Sequence, residues 1–257
     1  MWRSEKAGSS PGALKEKARE ALLGNYGMLF GAAFLYLMIQ LALYEASGIV
    51  SISPTENLLG MPLSLLMGIL SSVITTMMQA GMAFIALNIA RKGHAVLRDL
   101  FLGFRYHSGR LVCISLMLTA VNTICSLPVA YLAANYILYG VHFSFLGLPM
   151  SNLNFSLSLI GSAVFSILLY IAAGSLFSMA LYLYIDHQEY SAIQCMTKSV
   201  SLMLGNRIRF FLLILSFIGY GVLVLLSFGI GIIWVGPYLN VSQAEFYIER
   251  SGRTTPY

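Results

Sequence analysis

Long apolar stretches separated by short polar segments dominate the chain. Five stretches are long enough to cross a bilayer as helices, since about 20 mostly apolar residues span its hydrocarbon core. They cover approximately residues 26–44, 58–90, 111–138, 155–185 and 208–226. A sixth stretch, residues 228–239, is too short alone and reaches spanning length only when extended to residue 247. The pattern predicts an all-α membrane helix bundle with about six transmembrane helices.

Short amphipathic segments precede the first, third and fifth apolar stretches. In the first segment Leu14, Ala18 and Leu22 recur at helical spacing, and residues 97–104 and 193–204 show the same periodicity. Each segment meets a glycine, the residue favoured just beyond the end of a helix. We expect three short helices, with apolar faces that turn toward acyl chains in the cytosolic interface or pack on the bundle. Both arrangements are compatible with the periodicity.

The recurrence of these segments predicts an internal repeat. Each unit consists of an amphipathic helix, a glycine break, a span outward and a span back. The predicted units cover about residues 13–90, 94–186 and 190–248 within one membrane domain, residues 13–248. The remaining residues, 1–12 and 249–257, are interpreted as cytosolic tails.

The basic residues predict how the chain is oriented. Loops around residues 91–110 and 186–209 hold eight of the fifteen Lys and Arg residues, whereas the loops 47–57 and 139–154 hold none. Basic loops remain on the cytosolic side of a membrane. We therefore expect the basic loops and the N-terminus to face the cytosol, and an even number of spans places the C-terminus there too.

Composition supports the interpretation as a membrane protein and limits the kinds of binding partner that are expected. The chain is 58% hydrophobic and 10% charged, whereas a soluble domain carries about 25% charged residues. The net charge of +5 is divided among short loops, which disfavours nucleic acid and favours anionic lipid headgroups as partners. The residues predicted to contact headgroups are Lys15, Arg19, Arg91, Lys92 and Arg209.

The sequence offers little evidence for catalysis. The three cysteines, Cys113, Cys125 and Cys195, form no CxxC pair, and the chain has no nucleotide-binding, zinc-protease or serine-hydrolase motif. Residues 186–189 (Asp-His-Gln-Glu) form the densest polar cluster, and we interpret it as the solvated end of the fourth span. We expect a protein that is not an enzyme and that binds no metal or cofactor.

Amide side chains inside the predicted spans are the best candidates for a membrane-embedded site, because polar groups are costly in hydrocarbon. Most are interpreted as hydrogen bonds between helices. Gln79, Asn122 and Asn135 are the candidates for cavity residues, should a substrate path exist. Small residues along the fourth span allow close helix packing within the bundle or self-association.

Three stretches resemble a bacterial integral membrane family known as domain of unknown function 975. They are residues 14–26, 97–104 and above all 199–247, with their LSFIG, GIG-x-x-W and PY elements. The third predicted span departs from the family's usual proline-glycine turn. The resemblance implies a multi-pass protein of the bacterial cytoplasmic membrane, and it brings no activity, substrate or catalytic residue.

Three hypotheses follow for function. The leading one is a non-enzymatic protein that organises lipid or a partner protein in the membrane. The alternative is a small transporter or lipid-handling protein with a cavity between the span pairs. The third is an intramembrane enzyme that uses residues 186–189. A hydrophilic cavity in the middle of the membrane would favour the alternative, whereas a closed apolar core would exclude it.

Overall fold

The computed structural model describes residues 9–51, 60–105, 108–139, 144–145, 148–149 and 152–252. The helices are α1 (Pro11–Leu22), α2 (Tyr26–Ser51), α3 (Gly60–Ala90), α4 (Leu102–Arg105), α5 (Ser108–Tyr139), α6 (Asn152–Phe177), α7 (Ala180–Asp186), α8 (Ala192–Met203), α9 (Arg207–Leu215), α10 (Ile218–Leu226) and α11 (Ile232–Ser251). A 3-10 turn, Leu97–Phe101, precedes α4. Two-residue strands, β1 (Ser144–Phe145) and β2 (Leu148–Pro149), pair antiparallel between α5 and α6.

The predicted all-helical architecture is confirmed, apart from this one short strand pair. Within the described residues, five helical segments are long and apolar enough to cross a membrane, and they coincide with the five predicted stretches. They are Tyr26–Ala46, Leu65–Ala90, Ser108–Ala134, Leu157–Asp186 and Arg207–Leu226. The fourth combines α6 with α7, and the fifth combines α9 with α10.

Helix α11 corresponds to the predicted sixth span. Its 20 residues extend about 30 Å at 1.5 Å per residue. It runs antiparallel along α9 and the start of α10, because Phe210 packs on Phe246 at 5.3 Å between ring centroids and Phe217 packs on Tyr238 at 5.1 Å. Its middle is covered by protein, and Val241 is fully buried. A helix that is covered by protein need not be strongly apolar, so its hydropathy does not decide whether α11 crosses the membrane. The count of six spans therefore stays a prediction.

The hydrophobic core lies at one end of the bundle. We call this the basic end, and define it as the end where α3, α7 and α11 finish at Ala90, Asp186 and Ser251. The last turns of α3 are enclosed by α1, the 3-10 turn, α7 and α11, so that Ile85 and Leu87 have no exposed surface. The halves of the long helices at the other end of the bundle carry exposed apolar side chains instead of a buried core.

Large apolar side chains are exposed on those opposite halves. Leu65, Ile124, Leu168 and Leu225 each expose more than half of their surface. Apolar surface in water costs about 25 cal/mol per Å², and a monomeric soluble protein rarely exposes continuous apolar patches of this kind. Lipid acyl chains are the solvent that suits them, as expected of a membrane protein.

The amphipathic segments form short helices that pack on the bundle. On α1 the predicted face is buried, with Leu14, Ala18 and Leu22 at most 2% exposed. On α8, Met196 and Met203 are buried in the same way. Of the two arrangements compatible with the sequence, the structure therefore shows packing on the bundle for both helices.

Most of the capping residues and glycines at the ends of these helices adopt the expected local structure. Ser191 and Gln194 form a capping box at the start of α8. Gly24 and Gly205 follow α1 and α8 with φ of 88° and 83°, a conformation that favours glycine. The prediction was wrong for Gly103, which lies inside α4 rather than beyond a helix end.

Gly103 and Gly81 instead permit a close contact between two backbones. A Cβ atom on Gly81 would lie 2.0 Å from the carbonyl oxygen of Leu100, and one on Gly103 would lie 2.6 Å from that of Met77. The 3-10 turn and α4 therefore rest directly on the backbone of α3. This contact fixes where α5 begins relative to α3.

Candidate functional site

A cavity of about 670 Å³ lies between the helices, and residues of α2, α3, α5, α6, α7 and α11 line it. Its volume falls within the range of about 300–1,000 Å³ typical of ligand sites. The polar lining consists of Tyr36, Ser71, Ser72, Thr75, Thr76, Gln79, Thr119, Asn122, Tyr170, Ser178, Tyr182, Asn240 and Gln243. None of the described lining residues carries a charge. We call this space the central cavity.

The central cavity lies in the middle of the long helices. Gln79 is eleven residues before Ala90, and Asn122 is fourteen residues after Ser108. At 1.5 Å per residue these positions lie about 17 Å and 21 Å from the helix ends at the basic end. A hydrocarbon core is about 30 Å thick, so both amides lie near the middle of helices that are long enough to cross it.

The wall formed by α2, α3 and α5 is held by side-chain hydrogen bonds. Gln40 and Thr75 exchange hydrogen bonds of 3.1 and 3.2 Å. The Gln79 amide donates to the hydroxyl of Tyr36 at 3.4 Å. Thr119 of α5 donates to the Ser72 hydroxyl of α3 at 2.9 Å. These bonds fix the wall without introducing a charge.

The sequence produces this wall through a polar stripe on one face of α3. Ser72, Thr75, Thr76 and Gln79 follow each other at steps of three, one and three residues. Residues three or four apart share a helix face, so the stripe faces the neighbouring helices as one surface. Apart from Ser71 and Asn88, the rest of this span is apolar and suits lipid or the bundle core.

Three amides contribute hydrogen-bonding capacity that the described part of the chain does not use. Asn122, Asn240 and Gln243 all line the central cavity, and within the described residues none of these side chains has a hydrogen-bond partner. An amide carries two donor hydrogens and an acceptor oxygen. Leaving such a group unpaired in an apolar medium costs several kcal/mol, so these amides are available to bind water or a ligand.

Gln79 and Asn122 are two of the three residues that the sequence proposed for a cavity, and the structure places both on its wall. The side chain of the third, Asn135, lies outside the described residues. Sequence reasoning assigned Asn240 and Gln243 to helix packing and missed the tyrosine hydroxyls. These missed residues share one sequence feature: polar side chains recur at helical spacing along one face of each span.

Arg91 was predicted to contact lipid headgroups, and the structure corrects this prediction. Its guanidinium forms a two-point contact with the Asp186 carboxylate, at 2.8 and 2.7 Å. Both side chains are 1% exposed, so headgroups do not reach Arg91. The Tyr247 hydroxyl also donates to Asp186 at 2.9 Å. Asp186 is therefore buried, and interpreting it as the solvated end of a helix was wrong.

The other predicted headgroup residues differ in their exposure. Lys15 donates to the carbonyl oxygen of Ser216 at 2.8 Å and lies 4.5 Å from the ring centre of Phe217, and burial lowers the pKa of Lys15. Arg209 is paired with Glu249 at 3.0 Å. Both residues therefore help to hold α1 and α9 in place. The remaining two, Arg19 and Lys92, are exposed.

Comparison with known proteins identifies a family for this chain but indicates no activity. A family model described as "Protein of unknown function (DUF975)" matches residues 10–253. Neither a curated protein nor a solved structure matches the chain. Within the described residues, no three His, Cys, Asp or Glu side chains come together as metal ligands would.

Proposed function

We propose that this protein, which belongs to the DUF975 family, is a small transporter or lipid-handling protein that holds an uncharged, hydrogen-bonding molecule in its central cavity. The observation that supports this proposal is the cavity itself, a polar space at mid-depth in a bundle of apolar helices. Polar side chains are rare at that depth and usually face a cavity or a pathway. A protein that only organised other molecules around its exterior would not require one.

The lining indicates the chemistry of the occupant. It offers amides and hydroxyls, which donate and accept hydrogen bonds, and the described lining offers no Lys, Arg, His, Asp or Glu. A charged molecule would lose its hydration there without gaining a counter-charge, which is strongly unfavourable. An uncharged molecule with several hydroxyl or amide groups suits the cavity best.

The proposal includes an orientation and a location. The basic end faces the cytosol of a bacterial cytoplasmic membrane, α11 is the sixth span, and both termini are cytosolic. Arg19 and Lys92, which are exposed near this end, meet anionic headgroups. The protein binds and moves or presents its ligand, and no chemical step is assigned to it.

A second candidate function, membrane or partner organisation, is favoured by a different surface. Phe101 and Phe104 are 37% and 44% exposed on the segment that rests on α3, and Arg98 and Arg105 are exposed beside them. Aromatic and basic side chains together suit an anionic lipid surface, and each basic residue contributes about 1 kcal/mol there. A photo-crosslinking residue at position 101 should capture phosphatidylglycerol in preference to phosphatidylcholine. Equal capture of the two lipids would leave this surface without a function.

Thiol accessibility tests the cavity directly. In a chain whose native cysteines are replaced by alanine, Gln79→Cys and Asn122→Cys should react with iodoacetamide, a small uncharged reagent that dissolves in water. Leu168→Cys is the matched control, because Leu168 is 59% exposed on α6 and does not line the central cavity. A lipid-facing thiol remains protonated and unreactive. If positions 79 and 122 react no faster than position 168, the proposed function fails.

A further inference from the structure

A second depression adjoins the central cavity. It has a volume of about 360 Å³ and lies between α5 and α6. Two of its lining residues, Asn122 and Tyr170, also line the central cavity. The two spaces therefore meet at these side chains. We call the second space the α5–α6 groove.

The chemistry of the walls changes at this junction. Beyond Asn122 and Tyr170 the groove is lined mainly by Cys125, Val129, Ala163 and Ile167. These side chains offer methyl, methylene and thiol surface. A hydrocarbon chain suits such walls, because it makes no hydrogen bonds that the groove would leave unpaired.

Two serines in the groove do not alter its apolar character. The Ser126 hydroxyl donates to the carbonyl oxygen of Thr123 in its own helix, at 2.9 Å. The Ser166 hydroxyl oxygen is buried, with no hydrogen-bond partner among the described residues, so it presents almost no polar surface to the groove. A ligand that fills both spaces would thus be polar at one end and apolar along most of its remaining length.

We propose that the occupant is a neutral membrane lipid, with its uncharged headgroup in the central cavity and an acyl chain in the α5–α6 groove. This inference rests on the proposed function and specifies its ligand class. Glycerol or sugar hydroxyls of the headgroup would bond Asn122 and Gln243, two of the three cavity amides whose side chains have no partner among the described residues. The chain would run past Tyr170 between α5 and α6.

The charges of the protein argue against a phospholipid. A phosphodiester is negatively charged and requires a cation or several donors aimed at it, and neither described lining contains a Lys or Arg. The cations closest to the bundle interior are already occupied. Arg91 is paired with Asp186, and Lys15 lies against Ser216 and Phe217.

The surrounding surface gives a lipid a direct route. Ile124 and Leu127 of α5 and Ile160 and Val164 of α6 are all more than half exposed. These residues flank the groove on the lipid-facing side of both helices. An acyl chain can therefore enter from the bilayer without crossing water, while its headgroup reaches the amides.

Photolabelling in lipid nanodiscs tests this proposal. The full-length chain would be reconstituted in phosphatidylcholine with either diacylglycerol or phosphatidylglycerol, both bearing the same diazirine-modified acyl chain. Labelled peptides would be identified by mass spectrometry. We expect diacylglycerol to label α5 and α6 at least about tenfold more than phosphatidylglycerol, because an unpaired charge inside a membrane is strongly unfavourable.

Substitutions that fill the α5–α6 groove test whether the labelling arises from a lipid bound there. Ala163→Trp fills the groove and should reduce diacylglycerol labelling about tenfold, since added bulk in a packed site excludes its occupant. Val129→Phe fills the same groove from α5 and should give the same loss. Leu168→Trp adds a similar bulk on the lipid-facing side of α6 and should leave labelling unchanged. Each variant must elute as a single monodisperse species before it is compared.

The outcomes separate this inference from the proposed function. Equal labelling by the two lipids, or full labelling in a properly folded Ala163→Trp or Val129→Phe variant, overturns the neutral-lipid assignment. Protection of Asn122→Cys from iodoacetamide supplies the second readout. If glycerol or glucose protects this thiol and diacylglycerol does not, the lipid inference fails while the proposed function stands. If position 122 never reacts, both fail.

Discussion

Removing the Asp186 carboxylate should destabilise the bundle far more than its sequence context suggests. Arg91, Asp186 and Tyr247 come from the ends of α3, α7 and α11, the last helices of the three predicted repeat units. The Arg91 guanidinium and the Tyr247 hydroxyl both lie within 2.9 Å of the Asp186 carboxylate. The contact therefore joins three distant parts of the chain at the basic end.

The expected magnitudes follow from burial. Asp186→Ala leaves the Arg91 guanidinium buried without a counter-charge, which typically costs about 3–5 kcal/mol. Tyr247→Phe removes one hydrogen bond to a charged group and should cost about 1.5–3 kcal/mol. Glu189→Ala is the matched control, because the Glu189 side chain is 66% exposed and lies 2.9 Å from His187. An exposed pair contributes about 0–1 kcal/mol.

The assay is equilibrium unfolding in mixed micelles, followed by far-ultraviolet circular dichroism as the fraction of sodium dodecyl sulfate is raised. A double variant, Arg91→Met with Asp186→Leu, should recover much of the stability lost in Asp186→Ala, because it removes both buried charges. If Asp186→Ala lowers the free energy of unfolding no more than Glu189→Ala does, Asp186 is solvated and the reasoning is refuted.

Three further predictions concern packing, charge and orientation. Gly81→Ala should severely reduce the yield of folded protein, because its Cβ would overlap a backbone carbonyl. Gly68→Ala on the same helix is the control: its Cβ meets open space, so it should be neutral or stabilise the protein by about 0.5–1 kcal/mol. Equal yields of the two variants in fluorescence-detected size-exclusion chromatography would contradict the close contact. Lys15→Met should lower the free energy of unfolding by about 1–3 kcal/mol through the lost charged hydrogen bond and ring contacts, and an unchanged midpoint would show that α1 is held without it. A membrane-impermeant maleimide should label Ser251→Cys only from the cytosolic side and Ser144→Cys only from outside, and the reverse result would overturn the orientation.

The fold was largely predictable from hydrophobic length, because a span must be apolar wherever it meets lipid. Helix α11 shows the limit of that signal. Its neighbours cover it, so it can carry Asn240, Gln243 and Glu245 without exposing them to hydrocarbon. Its hydropathy therefore falls below that of the other long helices although it packs along them.

The site was predictable only in part. Gln79 and Asn122 were identifiable because amides are costly in hydrocarbon unless something satisfies them. Serine and threonine are less conspicuous, because their hydroxyls can bond to the carbonyls of their own helix, as Thr76 does to Ser72. The partner of Arg91 was not identifiable, because Asp186 is 95 residues away and no local pattern connects them.

The central claim is that the middle of this bundle is a polar cavity that holds an uncharged molecule. The most direct measurement is a cryo-electron microscopy density map of the full chain in lipid nanodiscs that contain diacylglycerol, with an antibody fragment bound to provide particle size. We expect non-protein density in the central cavity within hydrogen-bonding distance of Asn122 and Gln243. A bundle in which α3, α6 and α11 close on one another and leave no space between these amides would contradict it.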